Sequence, residues 1–334
     1  MKRHCVPSLH RSAHVHILAG LGVVTIAGCL DGASAGSPGE ESAAVAAVSA
    51  DSALDADYLP VPHIGRAHKS CVHALAAHDV VDAQGAIHSA NGRVQPAAAA
   101  CGYPVKPSHD SASLTPVNSG LVPTDNGWTE YASWTSPIAM RAFGATFHVP
   151  AAPTLYTGQT IFFFPAMQSL GSSPSIIQPV LQYGPSAAGG GAYWAIASWI
   201  GGGAYGGNFY YTALRPVSTG EEIRGGMYQT NNCNASGACE WDVAMHDTNN
   251  GSDLVLGSVL GFAWQWVVAG AIEVYGIDDC RKYPATYDNF YDFYLQDGNY
   301  NNPTPQWGAT ISVSTCAERV ALSTNLVELH YGSN

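Results

Sequence analysis

The chain has 334 residues, among them 36 Gly, 17 Tyr and 8 Trp, and only 11% carry a charge. That length suits one large domain with extensions, and that composition suits an exported β-rich protein better than a cytosolic helical enzyme. From Trp128 to Asn334 there are 6 Lys+Arg against 15 Asp+Glu, a balance of −9, so the surface repels phosphate backbones and excludes nucleic acid as a partner.

Residues 1–28 read as a signal peptide. Lys2, Arg3 and Arg11 precede the apolar run ILAGLGVVTIAGC, which is too short for a membrane span. The run ends in Ile26-Ala27-Gly28-Cys29, which resembles the lipobox of bacterial lipoproteins; the resemblance implies a lipid on Cys29 and membrane contact through that lipid alone. Plain secretion with cleavage after Ala33-Ser34-Ala35 is the rival. Either route exports the chain, lipid-anchored at the cell envelope or free. Residues 29–56 are small, polar and acidic, as expected of a disordered tether.

Residues 57–107 hold two cysteines, the histidines His63, His68, His73, His78 and His88, and the hairpin-like stretch DVVDAQGAIHSANGRV. They read either as a prosegment or as an N-terminal extension of the main domain. The histidines show no ligand spacing on a shared element, so they are expected to be solvated, and no metal or cofactor is expected. The Ser/Pro/Gly-rich passage SHDSASLTPVNSG then leads into the main domain, 121–334.

With Cys5 lost in the signal and Cys29 assigned to lipid, Cys71, Cys101, Cys233, Cys239, Cys280 and Cys316 remain. An even set in an oxidising compartment reads as disulfides; six cysteines allow 15 pairings, of which the local choice is Cys71–Cys101, Cys233–Cys239 and Cys280–Cys316.

From residue 121 onward, strand signals alternate with turn signals: MRAFGATFHV, TIFFFPAMQ, IIQPVLQYG, AYWAIASWI, WDVAMHD, WQWVVAGAIEVYGI and others. Asn250-Gly251 marks a hairpin. No segment sustains a 3.6-residue period, and glycine is too frequent for long helices. The expected fold is all-β, an antiparallel two-sheet sandwich.

Within IIQPVLQYG, Gln178, Val180 and Gln182 share one face of the strand. Buried amides need partners or cost about 1–3 kcal/mol each, so two on one face suggest a polar site. Pro179 removes a ladder donor, implying an edge or a bulge. In WVVAGAIEVYGI, Glu273 interrupts an apolar strand. Strict alternation puts Ala269, Ala271, Glu273 and Tyr275 on one face and Val268, Ile272 and Val274 on the other. A desolvated lone carboxylate has a raised pKa and can serve as acid or base. No G-x-S-x-G elbow, H-E-x-x-H helix, P-loop or dinucleotide fingerprint is present.

The segments PVLQYG, YWAIASW, RPVSTGEEIRGGM and AIEVYGI, taken in order, resemble those of the glutamic peptidases: the fungal eqolisins and their plant relatives of the neprosin type. The resemblance implies a large, concanavalin-like two-sheet β-sandwich that needs no cofactor and cleaves a polypeptide substrate in acid. It gives Glu273 the place of the general base and Gln182 that of the oxyanion donor, with Gln178 as rival donor. Gln178, Trp194, Trp199 and Tyr275 are then expected to bind substrate. Ser198 stands where the eqolisin aromatic strand has a carboxylate. The alternative is a non-catalytic sandwich binding a glycan on Tyr193, Trp194, Trp199, Trp264 and Trp266. A glycoside hydrolase normally needs a carboxylate pair, and only Glu273 is suitably placed.

Overall fold

The structure is a computed structural model that describes residues 56–76, 78–106, 125–233, 239–260, 262–285 and 287–332. The expected signal peptide, the lipid site Cys29, nearly all of the tether and the passage 107–124 lie outside the described residues.

The N-terminal segment carries six short strands: β1 (Tyr58–Val61), β2 (Gly65–His68), β3 (Val72–Leu75), β4 (Val80–Val81), β5 (Ile87–His88) and β6 (Val94–Gln95). The main domain follows with β7 (Asp125–Thr135), β8 (Met140–His148), β9 (Thr160–Ser169), β10 (Ser175–Ser186), β11 (Gly189–Gly202), β12 (Phe209–Thr212) and β13 (Arg215–Pro216). It continues with β14 (Glu222–Cys233), β15 (Cys239–Asp247), β16 (Ser252–Leu260), β17 (Trp264–Ile277), β18 (Tyr287–Asp297), β19 (Gly308–Ile311), β20 (Arg319–Leu322) and β21 (Leu326–His330). Among the described residues the only helical turns are 3-10 segments, Lys69–Cys71, Gly203–Tyr205 and Cys280–Lys282.

These strands build two sheets packed as a sandwich, as the strand pattern requires. One has nine strands, β19-β7-β17-β9-β10-β11-β12-β3 with β13 on β11; the other has ten, β20-β21-β18-β8-β14-β15-β16-β4-β5-β6. The expectation of a purely antiparallel sandwich needs one correction. β3 joins β12 and β4 joins β16 in parallel, because the N-terminal segment adds an edge strand to each sheet. The Asn250-Gly251 hairpin forms as expected, with β15 and β16 in register from Asp247↔Ser252 to Cys239↔Leu260.

The two sheets differ in how their strands are buried. β15, CEWDVAMHD, alternates buried and half-buried along its length, the pattern of a sheet with one wet face. β9, TIFFFPAMQS, is buried at nearly every position. One face of β9 meets the core between the sheets through Ile161, Phe163 and Met167, whereas Phe162, Phe164 and Ala166 belong to a second apolar cluster on the outer side. That cluster includes Val61 and Ala67 from the N-terminal segment. A run of apolar residues without alternation thus records a sheet covered on both faces.

Pro179 is not at an edge, since β10 lies between β9 and β11. Instead the β9–β10 ladder lapses locally. Pairs are made at Ile177↔Met167 and again at Leu181↔Phe163, and the same register sets Pro179 opposite Pro165. The facing sheet makes room for both rings with Gly225, where a Cβ would lie 2.7 Å from Pro179 Cγ and 3.2 Å from Pro165 Cγ. All three local disulfides form: Cys71–Cys101, Cys233–Cys239 and Cys280–Cys316.

Candidate active site

Register across the nine-stranded sheet decides which side chains share a surface. Glu273 on β17 pairs with Phe162 on β9, and Phe162 pairs with Gln182 on β10, so the three form one row on the outer face. Gln178 stands four residues along β10 on the same face, paired across β11 with Trp199. Alternation in β17 is interrupted beside the site. A bulge between Val268 and Gly270 shifts the phase, so Val268 joins the outer cluster and Ala269 turns into the core, the reverse of the strict-alternation expectation. Ala271, Glu273 and Tyr275 are on the outer side as expected.

The outer face is not open. β1 and β2 form a hairpin with Val61 paired to Gly65, and its three-residue tip, Pro62-His63-Ile64, presses into the site. Gln178 Nε2 donates to the Pro62 carbonyl at 3.0 Å. The His63 backbone N–H donates to Glu273 Oε2 at 2.5 Å. A single peptide unit therefore bridges the two side chains, its carbonyl on an amide donor and its nitrogen on a carboxylate. His63 has a φ of 87°, the left-handed region that a non-glycine residue rarely adopts, so this unit is held in a tight turn rather than an extended strand. The hairpin is further fixed by the Ala187 N–H, which donates to Pro60 O at 3.0 Å, and by Arg66, whose guanidinium carbon lies 5.6 Å from the centre of the Tyr275 ring.

Glu273 has no exposed surface. Burial pushes its carboxyl up to about 8, and the hydrogen bonds from Tyr275 and the His63 backbone only partly offset that effect. The Tyr275 hydroxyl donates to Oε1 at 2.5 Å, so each carboxylate oxygen has one donor. His63 is half-buried, with Nδ1 shut from solvent and unpartnered. Desolvation lowers its imidazole to about 4 and keeps the ring neutral at ordinary pH.

The structure separates the two glutamines. Both point to the outer face, but the amide of Gln182 is committed to the β10–β11 turn. Its Nε2 donates to Gly184 O at 2.7 Å and Gly189 O at 2.8 Å, and its Oε1 accepts from Ser186 at 2.8 Å. Gly190, with φ 107°, lies so close that a Cβ there would sit 2.4 Å from Gln182 Nε2. Gln182 is thus a turn residue with no free donor, and the expectation that it faces a substrate carbonyl is corrected. Gln178 has the carbonyl partner.

Trp199 and Tyr275 lie in the outer cluster, Trp199 stacked on Tyr211 with ring centres 4.8 Å apart. Trp194 does not. It packs in the core between the sheets, 5.0 Å from Tyr183 and 5.8 Å from Phe163 by ring centres. Trp264 is also in that core, and Tyr193 is exposed beside its buried neighbour, so the five aromatics of the glycan reading share no platform. Ser198 pairs with Pro179 and donates to Leu254 O at 3.3 Å, pointing away from Gln178. Sequence reasoning missed Pro62 and His63 as site residues, and it missed Trp128, whose ring meets His63.

One further carboxylate group lies on the inner side. Oxygens of Asp125 and Glu318 approach Cys316 Sγ, but that sulfur is bonded to Cys280 and is no thiolate ligand. Asp125 accepts from Tyr283 at 3.1 Å and Thr315 at 3.0 Å, as an ordinary buried carboxyl does.

No protein-family model matches this chain, and no curated protein matches it. Among solved structures it is similar to scytalido-glutamic peptidase with a peptide-based transition state analog, at 11% identity and a TM-score of 0.44. It is also similar to scytalido-glutamic peptidase with a transition state analog inhibitor, at 12% and 0.42. A third is SCP-B, a member of the eqolisin family of peptidases in a complex with the tripeptide Ala-Ile-His, at 10% and 0.42. Each likeness covers 63% of this chain and 100% of the other.

Proposed function

We propose that this chain is an exported endopeptidase of glutamic type, with Glu273 as general base and Gln178 as oxyanion donor, held in an occupied state by its own hairpin β1–β2. The observation that carries the reading is the Pro62–His63 peptide unit, bonded at its carbonyl by Gln178 and at its nitrogen by Glu273. That is the arrangement a cleavable amide needs.

The chemistry runs in two steps. The Glu273 carboxylate takes a proton from water as the water oxygen adds to the amide carbon, and Gln178 N–H₂ donates to the resulting oxyanion. One such donor is worth roughly 3 kcal/mol in the transition state. The C–N bond then breaks as Glu273 passes the proton to the leaving nitrogen, giving a carboxylic acid, an amine and the carboxylate again. The Tyr275 hydroxyl holds the carboxylate in place. No cofactor takes part, and an amide donor keeps its state at every working pH.

The docked hairpin resists this reaction for geometric reasons. Its peptide nitrogen occupies one Glu273 oxygen and Tyr275 the other, and the carboxyl has no solvent contact through which water could reach it. Burial also keeps the carboxyl protonated below about 8, so it is no base in acid while covered. Displacing the tip hydrates Glu273 and returns it toward its ordinary range near 4.5, which allows activity in acid.

The N-terminal segment divides accordingly. Residues 58–68 act as the prosegment plug, whereas Leu75 and Val81 belong to the main core and β3 and β4 extend the two sheets. The test is incubation of the protein with an unfolded protein substrate between about pH 3 and 7, with the hairpin displaced by a nick after His68. Cleavage insensitive to chelators is expected. A protein that cuts nothing across that range, yet is retained on a polysaccharide column, would restore the glycan-binding reading.

A further inference from the structure

On the far side of the bridging peptide from Gln178, the His63 side chain enters a group of aromatic rings that the chemistry above does not use. Its ring meets Trp128 edge to face, with centres 5.4 Å apart and planes at 73°. Trp128 stacks on Trp266 at 5.8 Å, and Tyr131 stands edge-on to both, at 4.9 and 6.0 Å. Phe164 on β9 lies edge-on to Trp128 at 5.2 Å.

This grouping is built by a backbone irregularity. Trp128 and Tyr131 are three residues apart on β7, a spacing that alternation would send to opposite faces. The pairing with β17 slips between Ile272 and Glu273, so Glu130 faces Ile272 while Trp128 faces Glu273. The extra residue, Thr129, is fully buried and donates to Ile272 O at 3.3 Å. Trp128 and Tyr131 are thereby brought to the same side as the carboxylate.

We propose that Trp128, Tyr131 and Trp266 form the pocket that selects the side chain following the cleaved bond, and that the pocket takes a flat, uncharged ring. The proposal rests on the peptidase reading, because only a peptide bound across Gln178 and Glu273 gives this position its meaning. Aromatic walls reward a ring through edge-to-face contact beyond simple burial. They offer a positive charge only their ring faces, a contact worth roughly 0.5–2 kcal/mol, and no carboxylate or carbonyl of their own. Glu273 is already bonded to the His63 main chain and Tyr275, and Arg66 lies over the Tyr275 ring. A protonated imidazole or an ammonium in the pocket therefore loses more in hydration than the ring faces return. The lowered imidazole of His63 agrees with this.

Two measurements test it. In the full chain, hydrogen exchange of the β1–β2 amides reads how well residue 63 is held. His63→Phe should leave exchange within about threefold of the unaltered protein, while His63→Lys and Trp128→Ala should each speed it by about tenfold or more. If His63→Lys exchanges as slowly as the unaltered protein, the pocket does not select and the proposal fails. The second measurement uses synthetic peptides copying residues 58–68 with His, Phe, Ala or Lys in the place of His63, added to the hairpin-displaced protein. The Phe peptide should be cut about tenfold or more faster than the Ala or Lys peptide, and Trp128→Ala should collapse that ratio. The His peptide should lose ground to the Phe peptide by about tenfold per pH unit below the free imidazole pKa of ~6.5. Cutting without ring preference overturns the pocket alone. Selective docking in the first measurement with no peptide cut in the second overturns the peptidase reading and, with it, the role given to the pocket.

Discussion

Glu130 and Glu273 lie on adjacent strands of one sheet, neither has any exposed surface, and burial is the main force that raises both carboxyls, to about 9 and about 8. Glu130 pairs with Ile272, a residue of the main core, whereas Glu273 points the other way. The cover over Glu130 is permanent. It lies on the core side of the sheet, and the nearby Glu318 carboxylate raises its pKa further. The cover over Glu273 is the tip of a separate two-stranded hairpin. A raised pKa therefore marks burial and not function. What distinguishes the candidate catalytic carboxyl is that its cover is a peptide, bound through its own amide.

The largest test of that contrast is substitution of each carboxyl by its isosteric amide. Glu273→Gln should lower kcat/KM by about a thousandfold while the thermal transition stays near its original value, since removal of a positioned base costs roughly 10²–10⁴. Glu130→Gln should leave cleavage within about threefold. Equal losses in both variants would mean that burial, and not the covering peptide, is what matters.

The next effect separates the glutamines. Gln178→Ala should reduce kcat by about 10²–10³ with little change in KM, the behaviour of an interaction made chiefly in the transition state. Gln182→Ala should instead lower stability by about 1–3 kcal/mol, because its amide ties Gly184, Ser186 and Gly189 together. A reversed outcome, with turnover lost only on changing Gln182, would return the donor role to that residue.

A smaller effect reads the permanent cover through stability. Glu130 binds its proton more tightly in the folded state than in the unfolded one, so the fold gains from this group below about pH 4.5 and loses that gain as pH rises toward about 9. Asp125, raised to about 6, acts in the same direction over a lower range. The melting temperature should fall by several degrees between about pH 5 and 9, and Glu130→Gln should flatten the slope. A melting temperature that climbs over that range would contradict the burial assigned to Glu130. The smallest effect concerns the removable cover. Arg66→Ala withdraws one cation from the Tyr275 ring and should speed hairpin exchange by only about two- to fivefold, since such contacts are worth roughly 0.5–1 kcal/mol.

Local chemistry in the sequence was enough for much of this protein. Runs of β-branched and aromatic residues cut by glycine and proline determined the strands, Asn250-Gly251 determined a hairpin, and cysteines near in sequence formed the expected pairs. Strand parity put Gln178 and Gln182 on one face of β10 and Glu273 with Tyr275 on one face of β17, because a period of two needs no knowledge of distant partners; that the two faces coincide was decided by register through Phe162 on β9. Parity alone could not choose between the glutamines. That choice came from the β10–β11 turn, which engages one amide, and from Pro62, which meets the other across 116 residues of chain. Nor could parity foresee the bulges in β7 and β17 that turned Ala269 inward and brought Trp128 and Tyr131 together, since a single extra residue reverses every face beyond it. The hairpin over Glu273 belongs to the same class. Its contact spans 210 residues, and only packing in three dimensions decides which distant turn fills an open sheet face.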